Sequence, residues 1–259
     1  MSVLQAAFLG ILQGFTELLP VSSSGHLALA ERAFGLTIPL GFLGFDVLLH
    51  LGSLCALLLC YPRTWVRILG SPFTGDRSFR RLFFLLILVT VPAGLAGVFY
   101  GEALDTLRSP FALGIGFLIS GLALVLAERA SQRRSYNSLR LWETLFIGVA
   151  QAIALPPSIS RSGMTIAASR FLGLARTDAV DFSFLMAVPA IAGAVVFTGM
   201  KVLKGSAALP PLPVSSIGFL ASFVASVVAV LTLKILTRRF STAWFALYLI
   251  PLAVILLAL

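Results

Sequence analysis

Between Gln13 and His26 the chain reads QGFTELLPVSSSGH, which places an amide (Gln13), a carboxylate (Glu17), serine hydroxyls (Ser22, Ser23, Ser24) and an imidazole (His26) in one short segment. Hydroxyl, carboxylate and imidazole are the parts of an activated nucleophile, because a hydroxyl attacks once a neighbouring base takes its proton. A second segment, LPPSISRSGMT, supplies Ser160, Arg161, Ser162 and Thr165 just before a run, MTIAASRFL, that reads as helix. A guanidinium beside hydroxyls and the amides of a helix start makes an anion site, and phosphate suits it.

These polar groups sit in a chain of 259 residues that is 59% hydrophobic and 11% charged, with a mean hydropathy of +1.02. Soluble domains carry roughly a quarter charged residues to cover their surface, so the solvent here is lipid. Runs near residues 42 to 61, 81 to 100, 111 to 128, 179 to 200, 214 to 235 and 242 to 258 are long enough for a hydrocarbon core of about 30 Å. The first apolar run, 3 to 21, differs: it carries Gln13, Thr16 and Glu17 and stops at Pro20. Without a basic start or small residues before a cleavage site, it does not read as a signal peptide. Cys55 and Cys60 share one apolar run and read as small core residues.

The two polar segments are copies of each other. At a constant offset, FLGILQGFTELLPVSSSGH falls on FIGVAQAIALPPSISRSGM, pairing Gly10 with Gly148, Gln13 with Gln151, Ser22 with Ser160 and Ser24 with Ser162. The copies diverge in charge. Glu17 and His26 face Leu155 and Met164, whereas Arg161 faces Ser23. A single composite site follows, with acid and imidazole from one copy and a cation from the other. Both segments carry helix breakers, and irregular backbone at membrane depth survives only when buried in protein or lining a wet cavity.

If each copy dips into the membrane and returns, three crossings follow it and the second half must be inverted. The expected fold is an all-α integral membrane protein with about six transmembrane helices and two re-entrant hairpins. It is one domain over residues 1 to 259, built from repeats at 1 to 130 and 139 to 259. Net charge is +9, from 19 Lys and Arg against 10 Asp and Glu. Arginines cluster in 63 to 81, 129 to 140 and at 238 to 239, while the loop holding Glu102 and Asp105 is acidic. The positive-inside rule puts the arginine loops in the cytoplasm. No basic patch is left over for nucleic acid. Glu128, Glu143, Arg170 and Arg176 read as interfacial anchors.

Farther along, FDVLLHLGS sets Asp46 and His50 four apart on one helix face, and DFSFLMAVP sets Asp181 at the matching point of the second half. Asp46, His50, Gln151 and Asp181 are candidates for groups that support the site from behind; for Asp46 and Asp181 helix capping is an equal alternative.

QGFTELLPVSSSGHL resembles the (E/Q)xxxE plus PxSSSGH signature of the undecaprenyl-diphosphate phosphatases of the bacitracin-resistance type. PSISRSGMT is similar to that family's PGxSRSGxT motif, DFSFLMAVP also matches, and the similarity covers nearly the whole chain. The resemblance implies hydrolysis of the terminal phosphate of undecaprenyl diphosphate, recycling the lipid carrier of cell-wall synthesis. It further implies a bacterial inner-membrane location, a cavity open to the outer face, and a divalent cation, Mg²⁺ or Ca²⁺, with Glu17 as its ligand. Gln13, Ser22, Ser24, Ser160, Ser162 and Thr165 then contact phosphate, and Glu17, Ser23, His26 and Arg161 act on it. Two departures stand out: the first motif begins with Gln13 rather than glutamate, which the pattern permits but which takes away one carboxylate available to a metal, and Ser158 stands where the pattern has glycine.

Two chemistries remain open: Ser23 attacks phosphorus with His26 as base, which is favoured, or His26 itself attacks. The rival from another class is a carrier of the lipid monophosphate that binds without cleaving. A phosphatidic-acid-phosphatase arrangement needs a histidine after the arginine motif, and only His26 and His50 exist, both before it. The expected partners are the lipid substrate and membrane lipids; a homodimer is admitted by the sequence but not required.

Overall fold

The computed structural model describes residues 1–36, 43–104, 106–128, 133–205 and 209–259. Asp105 and Arg129, which entered the loop charge pattern, lie outside them. The described residues form helices α1 (Val3–Leu18), α2 (Ser23–Ala33), α3 (Leu43–Cys60), α4 (Pro62–Gly70), α5 (Arg77–Leu104), α6 (Pro110–Ala127), α7 (Leu141–Ile153), α8 (Arg161–Phe171), α9 (Arg176–Leu203), α10 (Leu212–Arg239) and α11 (Ala246–Leu257). No strand is present among the described residues, and the protein is a multi-pass all-α membrane protein.

Among the described residues, α5, α6, α9 and α10 are each long and apolar enough to cross a bilayer. Helix α3 joins this set only together with α4, which bends away from it by 88° after Tyr61. The last expected crossing, 242 to 258, keeps its bounds but is shorter than the four long spans. Its apolar helix covers Thr242–Leu257, about 24 Å at 1.5 Å per residue, and it opens with a 3₁₀ turn.

The two polar segments fold as helix–loop–helix hairpins, α1–α2 and α7–α8. Helix α1 ends at Leu19, whose extended backbone (ψ 148°) is what a following proline imposes. Helices α2 and α8 begin at the matched serines: Ser22 Oγ accepts from Gly25 N and Ser160 Oγ from Gly163 N. A serine at this position satisfies amides that the first turn leaves unpaired. The repeat seen in the sequence is therefore a repeat of caps and helices.

Each hairpin lies against the other half of the chain. Helix α1 packs along α10, and its counterpart α7 packs along α5, the counterpart of α10. Close approach requires glycine. A Cβ on Gly14 would strike Ser222 O and stand 2.6 Å from Ala225 Cβ, and one on Gly148 would stand 2.7 Å from Val89 O. Small residues at such crossings let backbones meet in lipid, where packing drives helix association.

The hairpin tips touch. Ser162 Oγ donates to Leu19 O (2.9 Å), Ser158 N to Ser24 Oγ (3.4 Å) and Ser160 N to Ser120 Oγ of α6 (2.8 Å). Ser158 has φ 72°, in the left-handed region. This is the residue standing where the related motif has glycine, and the backbone there keeps the conformation that glycine adopts without strain.

Two outcomes follow for purified protein unfolded thermally in detergent. Gly14→Val forces α1 off α10 and lowers stability by about 1–3 kcal/mol, while Gly101→Ala, with open space around it, leaves the midpoint within error. Ser158→Gly relieves the left-handed strain and raises stability by about 1 kcal/mol; an unchanged or lower midpoint would contradict that account.

Candidate active site

The meeting of the hairpins places Glu17, from the last turn of α1, beside Arg161, the first residue of α8. Arg161 Nη2 donates to Glu17 Oε1, and the carboxylate side chain is 7% exposed. Glu17 Oε2 accepts from Ser23 Oγ at 2.5 Å and from Gln13 Nε2 at 3.1 Å. His50 Nε2 of α3 lies 3.6 Å from the same oxygen, held there because its Nδ1 donates to Asp46 O at 2.7 Å. One buried carboxylate thus collects a guanidinium, a serine hydroxyl, an amide and an imidazole.

These groups form the polar end of a cavity of about 760 Å³. Ser22, Ser23, Ser24, Ser160, Arg161 and Ser162 line it there, with His50 and Gln151. The rest of the wall is apolar: Ala93 to Val98 of α5, Leu155, and the stretch of α9 from Pro189 through Phe197 to Met200. An amphipathic ligand with an anionic head and a long apolar tail matches this division. Arg161 Nη1 is buried and has no hydrogen-bond partner, a donor that an incoming phosphate oxygen would satisfy.

Several expected residues take other places. His26 does not pair with Ser23: its Nδ1 donates to Ser22 O at 2.6 Å, and its Nε2 meets Tyr248 OH at 2.7 Å. A carbonyl can only accept, so Nδ1 carries the proton, and Nε2 of the neutral ring accepts from the phenol. The ring is clasped by Tyr248, stacked at 5.6 Å, and by Phe117, edge-on at 5.2 Å. Tyr248 was not singled out in the sequence, and its place in the apolar run FALYLIPLAV gives no periodic signal of a partner. Thr165 does not reach the cavity; its hydroxyl donates to Arg161 O (2.9 Å) and meets Ser183 Oγ (2.8 Å), so it braces the arginine's backbone. Gln151 lines the wall and bonds to Val89 O at 3.4 Å. Asp181 is elsewhere, beside Tyr61 and Lys234. The expected anchors form ion pairs, Glu143 with Arg134 at 2.8 Å, and Glu128 with both Arg170 at 3.3 Å and Arg176 at 2.9 Å.

No group of three or more His, Cys, Asp and Glu side chains gathers among the described residues. An oxygen-seeking cation would find Glu17 and, adjoining it, Gln13 Oε1, which is buried without a hydrogen-bond partner. That donor set fits an ion held chiefly by phosphate oxygens and water, as Mg²⁺ commonly is.

The arrangement can bind a phosphorylated lipid, present a serine hydroxyl to it and remove the hydroxyl's proton. Comparison with known proteins agrees in class. Residues 6–255 match the family model described as bacitracin resistance protein BacA. The chain is 39% identical to a protein named undecaprenyl-diphosphatase from Carboxydothermus hydrogenoformans, over all of this chain and 98% of the relative. A protein of the same name from Rubrobacter xylanophilus is 37% identical over the same shares, and one from Moorella thermoacetica 38%. With a family model spanning nearly its full length and such relatives end to end, the chain belongs to the BacA family of bacitracin resistance proteins.

Proposed function

We propose that this protein is an undecaprenyl-diphosphatase, hydrolysing undecaprenyl diphosphate to undecaprenyl phosphate and inorganic phosphate, and that this recycling of the cell-wall lipid carrier confers bacitracin resistance. The observation that carries the mechanism is the 2.5 Å contact from Ser23 Oγ to Glu17 Oε2 at the polar end of an otherwise apolar cavity.

In this mechanism the diphosphate occupies the serine-lined end and the isoprenoid chain lies along the apolar walls of α5 and α9. Ser23 Oγ attacks the terminal phosphorus while Glu17 takes its proton. The bond from phosphorus to the bridging oxygen breaks, and lipid monophosphate leaves on that oxygen. Water then attacks the phosphoserine, its proton passing to His50 Nε2, while the bond from phosphorus to Ser23 Oγ breaks and that oxygen recovers the proton held by Glu17; inorganic phosphate departs and His50 returns its proton to water. Charge spreads over the equatorial oxygens of a loose transition state, so positioned cations do most of the work. Arg161 supplies one, through Nη1. In this scheme Glu17 rather than His26 is the base, supported by its contact with Ser23 Oγ, since a base must lie within hydrogen-bond reach of the proton it takes. His26 instead ties Ser22 to α11 through Tyr248 and so positions the loop that carries Ser23.

A divalent cation belongs to this proposal, held by Glu17 and Gln13 Oε1 together with the substrate; it would neutralise diphosphate charge. The location proposed is the bacterial inner membrane with the cavity mouth at the outer face. In support, the cavity's lining extends to Val98 and Met200, toward the ends of α5 and α9 opposite the ends where Arg77 and Arg176 begin those helices. The inverted sense of the repeat belongs to the same proposal, supported by the exchange of packing partners between halves. The carrier that binds without cleaving has no use for a serine hydroxyl bonded to a buried carboxylate.

Phosphate release from undecaprenyl diphosphate by purified protein in detergent tests the scheme. Arg161→Ala is expected to lower kcat by about 10²–10³-fold and Glu17→Gln by about 10²–10⁴-fold, with Ser23→Ala near background; all three still unfold cooperatively, Ser23→Ala near the wild-type midpoint and Arg161→Ala, which leaves a buried carboxylate unpaired, at a lower one. Wild-type turnover in Ser23→Ala would remove the nucleophile. Chelation should suppress turnover reversibly, and Mg²⁺ or Ca²⁺ should restore it; full activity after chelation would remove the cation.

A further inference from the structure

A second cavity, of about 420 Å³, opens among Tyr61, Arg63, Thr64, Tyr136, Asp181 and Lys234. It shares no lining residue with the first. Both cavities touch α9, one at Asp181 and the other at Met200. Those residues are about 28 Å apart along a helix rising 1.5 Å per residue, close to the thickness of a hydrocarbon core. Along α9 the first cavity is lined from Pro189 to Met200 and the second by Asp181 and Leu185, so the second cavity lies at the start of α9, at the other end of that helix from Met200.

Its polar groups are fixed in place. Tyr61 OH donates to Asp181 Oδ1 at 2.5 Å, Lys234 Nζ stands 3.4 Å from the same oxygen and 4.3 Å from the centroid of the Tyr61 ring. Asp181 is thus covered on two sides, and its charge is offset by Lys234. Arg63 at the rim and the Thr64 hydroxyl remain to meet a ligand. The charged side chains lining the cavity, Arg63, Lys234 and Asp181, sum to one positive charge. Position selects the ligand further. The cavity is formed where α3 ends and breaks by 88° into α4, with Lys234 near the end of α10, so it sits at headgroup depth between membrane helices. Basic pockets between helices at that depth take phospholipid headgroups, and Tyr rings suit the same zone.

We propose that this cavity is a binding site for the phosphodiester headgroup of an anionic phospholipid: Arg63 and Lys234 hold the singly charged phosphate, and Asp181 and Tyr61 hold Lys234 in position. Bound there, the lipid joins the α3–α4 bend to α9 and α10. The site is separate from the hydrolytic one, with no lining residue in common.

Native mass spectrometry of the full-length protein, released from micelles doped with phosphatidylglycerol, phosphatidylcholine or inorganic phosphate, tests this directly. Phosphatidylglycerol adducts should dominate in the wild type and fall by about tenfold or more in Arg63→Gln/Lys234→Gln, since each charge-assisted contact is worth a decade or so of affinity. The pair Arg238→Gln/Arg239→Gln, which removes equal charge from the end of α10 itself without touching a residue that lines the cavity, should keep them. If the first double variant does not unfold cooperatively, Arg63→Gln alone is used, because Arg63 is exposed, and the adduct should still weaken. Equal retention of phosphatidylglycerol and phosphatidylcholine, or equal loss in both double variants, overturns the proposal. A phosphate adduct without lipid preference assigns the site to free phosphate and overturns it as well.

Discussion

The contact between Glu17 and Arg161 closes the structure on itself. The two residues are separated by 144 positions in the chain, belong to different hairpins, and are both largely withdrawn from solvent. A lone carboxylate there would face a steep desolvation cost, and so would a lone guanidinium. Each is tolerable only because the other hairpin arrives. Removing one partner from such a pair costs more than the pair contributes, so the interaction specifies the mutual register of the hairpins more than it adds stability. The cavity exists between them because they are held at that register.

Everything around the pair serves to let two broken helices reach each other without leaving polar backbone exposed to lipid. Gly14 and Gly148 allow the hairpins to sink against the long helices of the opposite half. The serine caps satisfy the first amides of α2 and α8, and Ser162, Ser158 and Ser160 hand their remaining hydrogen bonds across the gap to Leu19, Ser24 and Ser120. The serines so abundant in both segments are thus mostly occupied in holding backbone. Ser23 differs, since its hydroxyl is aimed at the carboxylate.

Much of this was legible beforehand, for reasons that can be named. Helix length and apolarity are local properties, and so the long spans emerged from composition. The hairpins emerged because Pro20 and Pro156 break apolar runs inside a repeated motif. The pairing of Glu17 with Arg161 followed from charge that had no other partner. What escaped was fixed by contacts between distant elements. The ring of His26 turns to Tyr248, which lies in a run with no polar pattern. Thr165 looks like a phosphate ligand by spacing, yet one helical turn after Arg161 its hydroxyl finds the carbonyl of that residue first. Asp181 stands near the start of its span much as Asp46 does, but α9 extends past its cavity-lining stretch and carries the residue to the far end. His50 showed the opposite outcome, standing beside the central carboxylate rather than behind it.

The differences between the two copies carry the chemistry. Leu155 occupies the place in the second copy that Glu17 holds in the first, and it lines the same cavity as an apolar wall. A glutamate there would set a second carboxylate facing the one that binds Arg161, repelling a diphosphate from both sides. Ser23 and Arg161 are likewise aligned, each the first residue of its helix. From equivalent positions at two helix starts, one copy projects a hydroxyl and the other a guanidinium into one space. In the proposed mechanism a symmetric pair of serines would leave the phosphate without a cation, and a symmetric pair of arginines would leave it without a nucleophile. Shared residues make the two hairpins fold alike, so that the unshared Ser23 and Arg161 meet at the two oxygens of one carboxylate, Glu17.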